Sequence, residues 1–238
     1  MVRILDTTLV KSKIFHHFQP IYDITSWKRI GFEVLLRSKE IKSPEETFET
    51  ARKEKKLYDL DTLSIYEALS SYTANGFAGK GMLFLNVFPS TIVHKNFMDF
   101  IQKIALSYPE PHNLILEVSE AESISNIKVL AEVVRQIKQT GIKVAFDDIG
   151  KGFSDIESII ESKPDYIKLD KYFTRDLDTS KEKQLFVEFI IHYCEQLDMK
   201  LVIEGIEKPT ELAIVKYLGG TLAQGYALGY PEHLKNLK

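Results

Sequence analysis

From residue 82 onward the chain alternates short apolar runs with longer helical stretches, and this rhythm limits its fold more than any other feature. Residues 82–87, 113–118, 142–146, 166–169, 200–203 and 222–225 read as strands. Residues 90–108, 123–140, 154–162, 182–197 and 209–218 read as the helices between them. Short apolar strands alternating with helices predict parallel βαβ units. Two helices precede this series. Ser43-Pro44-Glu45-Glu46 predicts a helix start, with Ser43 as N-cap, Pro44 at the first helical position and Glu46 completing a capping box. A second helix is predicted over 60–74, closed by Asn75-Gly76. Residues 14–24 and 30–37 predict an opening hairpin, with Pro20 at an edge or strand end. Seven or eight strands suit a closed (β/α) barrel, and an open doubly wound sheet competes with it. The hairpin fits neither template cleanly. No Pro/Gly/Ser-rich linker breaks the series, so residues 14–238 read as a single domain behind an N-terminal arm, 1–13.

Bulk properties narrow the function. A formal net charge of −3 over 238 residues gives no basic surface for DNA or RNA. An anionic ligand needs a local positive site instead. Cys194 is the only cysteine, so no internal disulfide forms. No apolar run reaches the length of a membrane span, and residues 1–13 have no signal core. The expectation is a cytoplasmic protein that does not engage a membrane.

The strand ends carry the chemistry. Each apolar run finishes on a polar residue: Asn86, Glu117, Asp147 with Asp148, Lys168, Glu204 and Gln224. Glu33, in the hairpin's second strand, can join them. In a parallel barrel these ends share the C-terminal face, where active sites are built. One Lys cannot offset five carboxylates in a small space, and the adjacent Asp147 and Asp148 repel each other. Hard oxygen ligands suit Mg²⁺ or Mn²⁺, and the Asp pair can serve two ions with Asp147 bridging. Two such ions activate water against phosphorus, so the set points to a phosphoester hydrolase. Single strand-end acids are commonly helix N-caps, but caps use Ser, Thr, Asp and Asn, and this set includes Glu, Gln and Lys.

These residues resemble the EAL domain family, bacterial phosphodiesterases acting on cyclic di-GMP. The naming motif stands as Glu33-Val34-Leu35 within Phe32–Arg37, preceded by Phe18-Gln19-Pro20-Ile21. Leu85-Asn86-Val87, Leu116-Glu117-Val118-Ser119-Glu120 and Phe146-Asp147-Asp148-Ile149-Gly150 follow in family order. Lys168-Leu169-Asp170, Ile203-Glu204-Gly205-Ile206-Glu207 and Gln224-Gly225-Tyr226 complete the series. The resemblance implies a TIM-like (β/α)8 barrel with its first strand antiparallel to the rest. It implies two Mg²⁺ or Mn²⁺ ions. Glu33, Asn86, Glu117 and Asp147 would hold one, and Asp147 and Asp148 the other, with Glu204 nearby. Glu33, Lys168 and Glu204 would be catalytic, with Lys168 helping to activate the attacking water and Glu204 acting as base or ligand. Gln19, Leu35, Arg37, Asp170 and Gln224 would contact the cyclic dinucleotide or its water, and Glu120 would anchor the loop after Asp148. The product would be linear pGpG and the assembly a homodimer.

The chain departs from the family in three places. Val34 replaces Ala, a change a strand accepts. The loop Ile149–Asp155 differs at Ile149, Lys151 and Asp155, which raises an alternative: a cyclic di-GMP receptor with little or no turnover. Gly229-Tyr230-Pro231 replaces the common Gly-Arg-Pro and removes a cation beside the expected base pocket. His16-His17 face opposite sides of a strand and read as structural. Cys194 reads as core, and Trp27 as a turn residue.

Overall fold

A strand that is apolar throughout must be covered on both faces, and the chain does this by closing its sheet. The computed structural model describes residues 14–39, 43–122, 126–150 and 156–237. Eight strands form a closed barrel in chain order. They are β1 (Ile14–Asp23), β2 (Lys28–Ser38), β3 (Met82–Val87), β4 (Leu114–Val118), β5 (Lys143–Ile149), β6 (Tyr166–Leu169), β7 (Lys200–Ile203) and β8 (Leu222–Ala223). β1 is antiparallel to both neighbours, β2 and β8, and every other pair is parallel. The expected barrel is therefore the one formed, and the hairpin is its antiparallel entry. The expected arm, 1–13, and Lys151–Asp155 of the altered loop lie outside the described residues.

The period of two along each strand separates two cores. Leu83, Leu85 and Val87, then Leu114, Leu116 and Val118, face outward into the large core beneath the helices. Ile21, Phe84, Ile115, Ala145, Tyr166 and Val202 face inward and plug the barrel. One step of two beyond Phe84, Ile115, Ala145, Tyr166 and Val202 come Asn86, Glu117, Asp147, Lys168 and Glu204. The polar residues are thus the next inward layer above an apolar floor.

Some local expectations change. Pro20 lies inside β1, opposite Phe32, rather than at its end. The nitrogen of Phe18, two residues earlier, points away from β2 to the carbonyl of Glu232. Pro20 shares that orientation, and β1 meets β8 only at Tyr22 and Asp23, so its missing N–H interrupts no ladder there. The predicted helix over 90–108 is two helices, Pro89–Ile92 and Phe97–Ser107. Tyr58 fixes the break, stacking on His94 at 3.9 Å and donating to the Asn96 carbonyl at 3.2 Å. β5 extends through Asp147 and Asp148 to Ile149, past its expected end at 146. Ser43 caps the helix Pro44–Lys53 as expected, accepting from the Glu46 N–H.

Candidate active site

The polar layer surrounds one buried ammonium. Lys168 Nζ lies 2.6 Å from Glu117 Oε1 and 2.6 Å from Glu204 Oε1. Asp147 Oδ1 is 3.3 Å away and Glu33 Oε2 3.4 Å away. Lys168 is 1% exposed, so nearly all of its solvation comes from these carboxylates. Burial works against its charge, but Asp147, Glu117, Glu204 and Glu33 outweigh that and hold its pKa well above the ordinary lysine value. Burial, reinforced by Asp147, pushes the Glu117 carboxyl well above its usual range. Burial does the same to Glu204, against the pull of Lys168.

Strand geometry explains most of this set, and a bulge explains the rest. Adjacent residues on a regular strand face opposite sides, so Asp148 should point away from Asp147. The β5–β6 ladder instead slips between Phe146 and Ile149. Asp148 takes a left-handed φ of +49°, and its N–H donates to Asp147 Oδ1 at 2.9 Å. Both aspartates therefore line the same cavity. Glu120, Asp147 and Asp148 each place a carboxylate oxygen within 4.8 Å of the other two. The resemblance gave Glu120 a loop-anchoring role, and its position beside both aspartates also makes it a candidate ligand.

The cavity measures about 800 Å³. Gln19, Glu33, Leu35, Arg37, Asn86, Glu120, Asp147, Asp148, Lys168, Asp170, Glu204 and Gln224 all line it. Glu117 does not, because it lies fully buried beneath Lys168. Gln224 donates to Glu33 Oε2, Gln19 donates to the Gly229 carbonyl, and Asn86 donates to the Val34 carbonyl. Asp170 accepts the N–H of Tyr172, which leaves it shaping its own turn as well as lining the cavity.

The donor set fits divalent cations. Five carboxylates and two amide side chains supply hard oxygen atoms. Two buried acceptors, Glu117 Oε2 and Gln224 Oε1, have no hydrogen-bond donor. A buried oxygen left this way is costly, and a cation or its water would satisfy it.

Two supporting residues carry no signal in the strand-end pattern. Thr174 is fully buried and donates to the Glu204 carbonyl at 2.6 Å. Glu211, 1% exposed, accepts the N–H groups of Asp176, Glu207 and Lys208 and so joins the loops after β6 and β7. The only sequence trace of Glu211 is its capping-box spacing from Lys208. The residues set aside behave as read. His16 is buried against Ser64 Oγ at 3.0 Å, and burial lowers its pKa to about 4. Cys194 is buried, with its thiol pushed up to about 12.

Known proteins are similar to this chain in sequence and in fold. The family model for the EAL domain matches residues 2–231. The blue light- and temperature-regulated antirepressor BluF of Escherichia coli (strain K12) is 29% identical over 226 residues, covering 93% of this chain and 55% of that protein. The cyclic di-GMP phosphodiesterase PdeB of Shewanella oneidensis is 26% identical over 231 residues, covering 94% of this chain and 27% of that protein. This chain therefore spans about half or less of the length of these relatives. The Klebsiella pneumoniae BlrP1 structure, a manganese and cyclic di-GMP complex at pH 9.0, matches with a TM-score of 0.82 and 26% identity, covering 93% of this chain and 60% of that one. An EAL domain protein from Listeria monocytogenes EGD-e matches in fold, with a TM-score of 0.83 at 22% identity, over 100% of this chain and 98% of that one. By its antiparallel-entry barrel and a family match over nearly its whole length, the chain belongs to the EAL domain family.

Proposed function

We propose that this chain hydrolyses cyclic di-GMP to linear pGpG in a metal-dependent reaction. The observation that carries this is the convergence of Glu33, Glu117, Asp147 and Glu204 on Lys168, with Asp148 and Glu120 alongside. The cyclic di-GMP bound in the BlrP1 structure and the phosphodiesterase activity named for PdeB support the same reading. Two Mg²⁺ or Mn²⁺ ions, when bound, would polarise the phosphate and make water a better nucleophile. Glu33, Asn86, Glu117 and Asp147 would hold one ion, and Asp147 and Asp148 the second, with Glu204 close by. Gln19, Leu35, Arg37 and Asp170 would orient the dinucleotide, and Gln224 a water.

Lys168 stays an ammonium, so its part is to donate a hydrogen bond to the attacking water and not to take its proton. Glu204, 2.6 Å from Lys168, is in reach of the same water and would accept that proton. The water oxygen bonds to phosphorus, the bond from phosphorus to O3′ breaks, and O3′ takes a proton from solvent to leave as the 3′-hydroxyl of pGpG. Bound metal charge, together with Arg37 and Lys168, would supply the attraction for a dianion that a slightly acidic chain otherwise repels.

Incubation of the purified chain with cyclic di-GMP and Mn²⁺ should yield pGpG by chromatography. Glu33→Ala and Asp147→Asn should each lower the rate at least about 10²–10³-fold, the scale of losing transition-state charge stabilisation. Binding without product would favour the second reading, a receptor with little or no turnover. BluF, an antirepressor, is a relative whose name carries no phosphodiesterase activity, and it leaves room for that reading. Neither binding nor product would remove both.

The chain should also form a homodimer. Ile156 and Ile160, on the helix Ile156–Ser162 that follows the aspartates, are 67% and 52% exposed. Two exposed isoleucines on one short helix suit a covered face. Sedimentation equilibrium giving a monomer mass at micromolar concentration would end this expectation.

A further inference from the structure

Glu120 follows β4, and the described residues 119–122 around it form no helix or strand that would hold it. Two contacts flank Glu120, one ending on the last residue of β3 and the other on the short helix Pro89–Ile92 that follows it. On one side, the Ser119 N–H donates to the Val87 carbonyl at 3.0 Å. On the other, Glu122 Oε2 accepts the Ser90 N–H at 3.0 Å. The second contact depends on Arg52, whose Nε and Nη2 lie 3.2 and 3.0 Å from Glu122 Oε1. Arg52 comes from the helix Pro44–Lys53, a wall of the cavity. Its guanidinium also lies 5.2 Å from the centre of the Phe88 ring, whose edge meets Phe48 at 5.0 Å. The Glu122 side chain is 16% exposed and that of Arg52 42%, so the pair holds more by its two-nitrogen geometry than by burial.

We infer that the Arg52–Glu122 pair is a clasp that positions the Glu120 carboxylate against Asp147 and Asp148, making Arg52 and Glu122 positioning residues for the metal group. Neither residue belongs to the strand-end set, and neither touches the carboxylates it serves. The clasp ties three segments, the wall helix, the short helix after β3 and the residues after β4, so that the cavity rim and the ligand group move together. Partners that orient metal ligands in this way commonly change metal affinity by 10–100-fold when lost.

The inference rests on the metal-dependent reading and is tested by Mn²⁺ binding, measured by titration calorimetry without substrate. Arg52→Gln and Glu122→Gln should each weaken Mn²⁺ binding by about tenfold. Because both act through one contact, the double variant should lose no more than the worse single variant. Arg52→Lys, which keeps the charge but not the two-nitrogen grip, should fall between wild type and Arg52→Gln. Wild-type affinity in the single variants would overturn the clasp, as would losses that multiply in the double variant. A wild-type chain that takes up no Mn²⁺ would overturn the metal-dependent reading, and the clasp with it. Thermal midpoints recorded on the same samples separate loosened ligands from general unfolding.

Discussion

Replacing Lys168 with Met should abolish hydrolysis and destabilise the metal-free protein by about 3–5 kcal/mol at pH 8, the usual cost of removing one partner from a buried ion pair. Four carboxylates lie within 3.4 Å of this ammonium, and Met leaves them facing one another. The loss should shrink sharply at pH 5. Glu117 and Glu204 have folded pKa values raised well above the ordinary range, so the native state holds protons that the unfolded chain releases. A raised carboxyl pKa makes stability fall as pH rises from about 4.3, the unperturbed Glu value, toward the folded values. Lys168 acts in the same direction but in a higher pH window. Its raised pKa gives stability that is fully present below the ordinary lysine value and is lost only above it. Wild type without metal should therefore be more stable at pH 5 than at pH 8, and Lys168→Met should steepen that slope. Mn²⁺ should reverse the order, because its ligands bind deprotonated. Urea unfolding at the two pH values, with and without Mn²⁺, measures all four states. A Lys168→Met protein equally stable at both pH values would contradict this electrostatic account.

Gly225→Ala should cost at least about 3 kcal/mol, the upper range of single substitutions. A Cβ there would sit 2.2 Å from the Ile206 nitrogen and 2.3 Å from its oxygen. Both atoms are already bonded, the nitrogen to the Gln224 carbonyl and the oxygen to the Ala227 N–H. Backbone cannot yield as a flexible side chain would, so β8 and the loop after β7 must separate. Gln224 moves with them and loses Glu33, so ligand binding should weaken along with folding. At about 2–4 °C per kcal/mol for a domain of this size, the thermal midpoint should drop by about 10 °C. Gly76→Ala is the control. Its φ of +75° brings strain, but nothing lies within 4 Å of the added carbon, so it should cost only about 1–2 kcal/mol. Equal midpoints for the two variants would show that close approach is not what Gly225 supplies.

The barrel was legible because β3 to β7 are short, apolar and each followed by a helix, and because their polar ends fall on the same inward parity, Asp148 excepted. That parity is local information, readable as Ile115 then Glu117, or Tyr166 then Lys168. The placement of Asp148 was not legible. Strand periodicity turns it away from the cavity, and only the slip between β5 and β6 brings it back. Lys168 was legible as a member of the set but not as its centre, since four separate strands define that position. Arg52 and Glu122 were hidden for a related reason. They lie 70 residues apart, in a helix and a loop that carry no shared pattern. Pro20 sits on an unpaired side of β1, the edge position that a proline in a strand predicts, although it lies inside the strand and not at its end.

The direction of β1 has a consequence for anything joined to this domain. In an all-parallel barrel the chain enters from the floor, far from the open mouth. Here Ile14 pairs with Ser38, at the end of β2 nearest the cavity. Glu232 bridges to Phe18, so the chain's last segment returns to that same strand. A sensor fused before Ile14 would attach at the rim and could press directly on Gln19 and its neighbours. Its message would not have to travel through the apolar floor of the barrel.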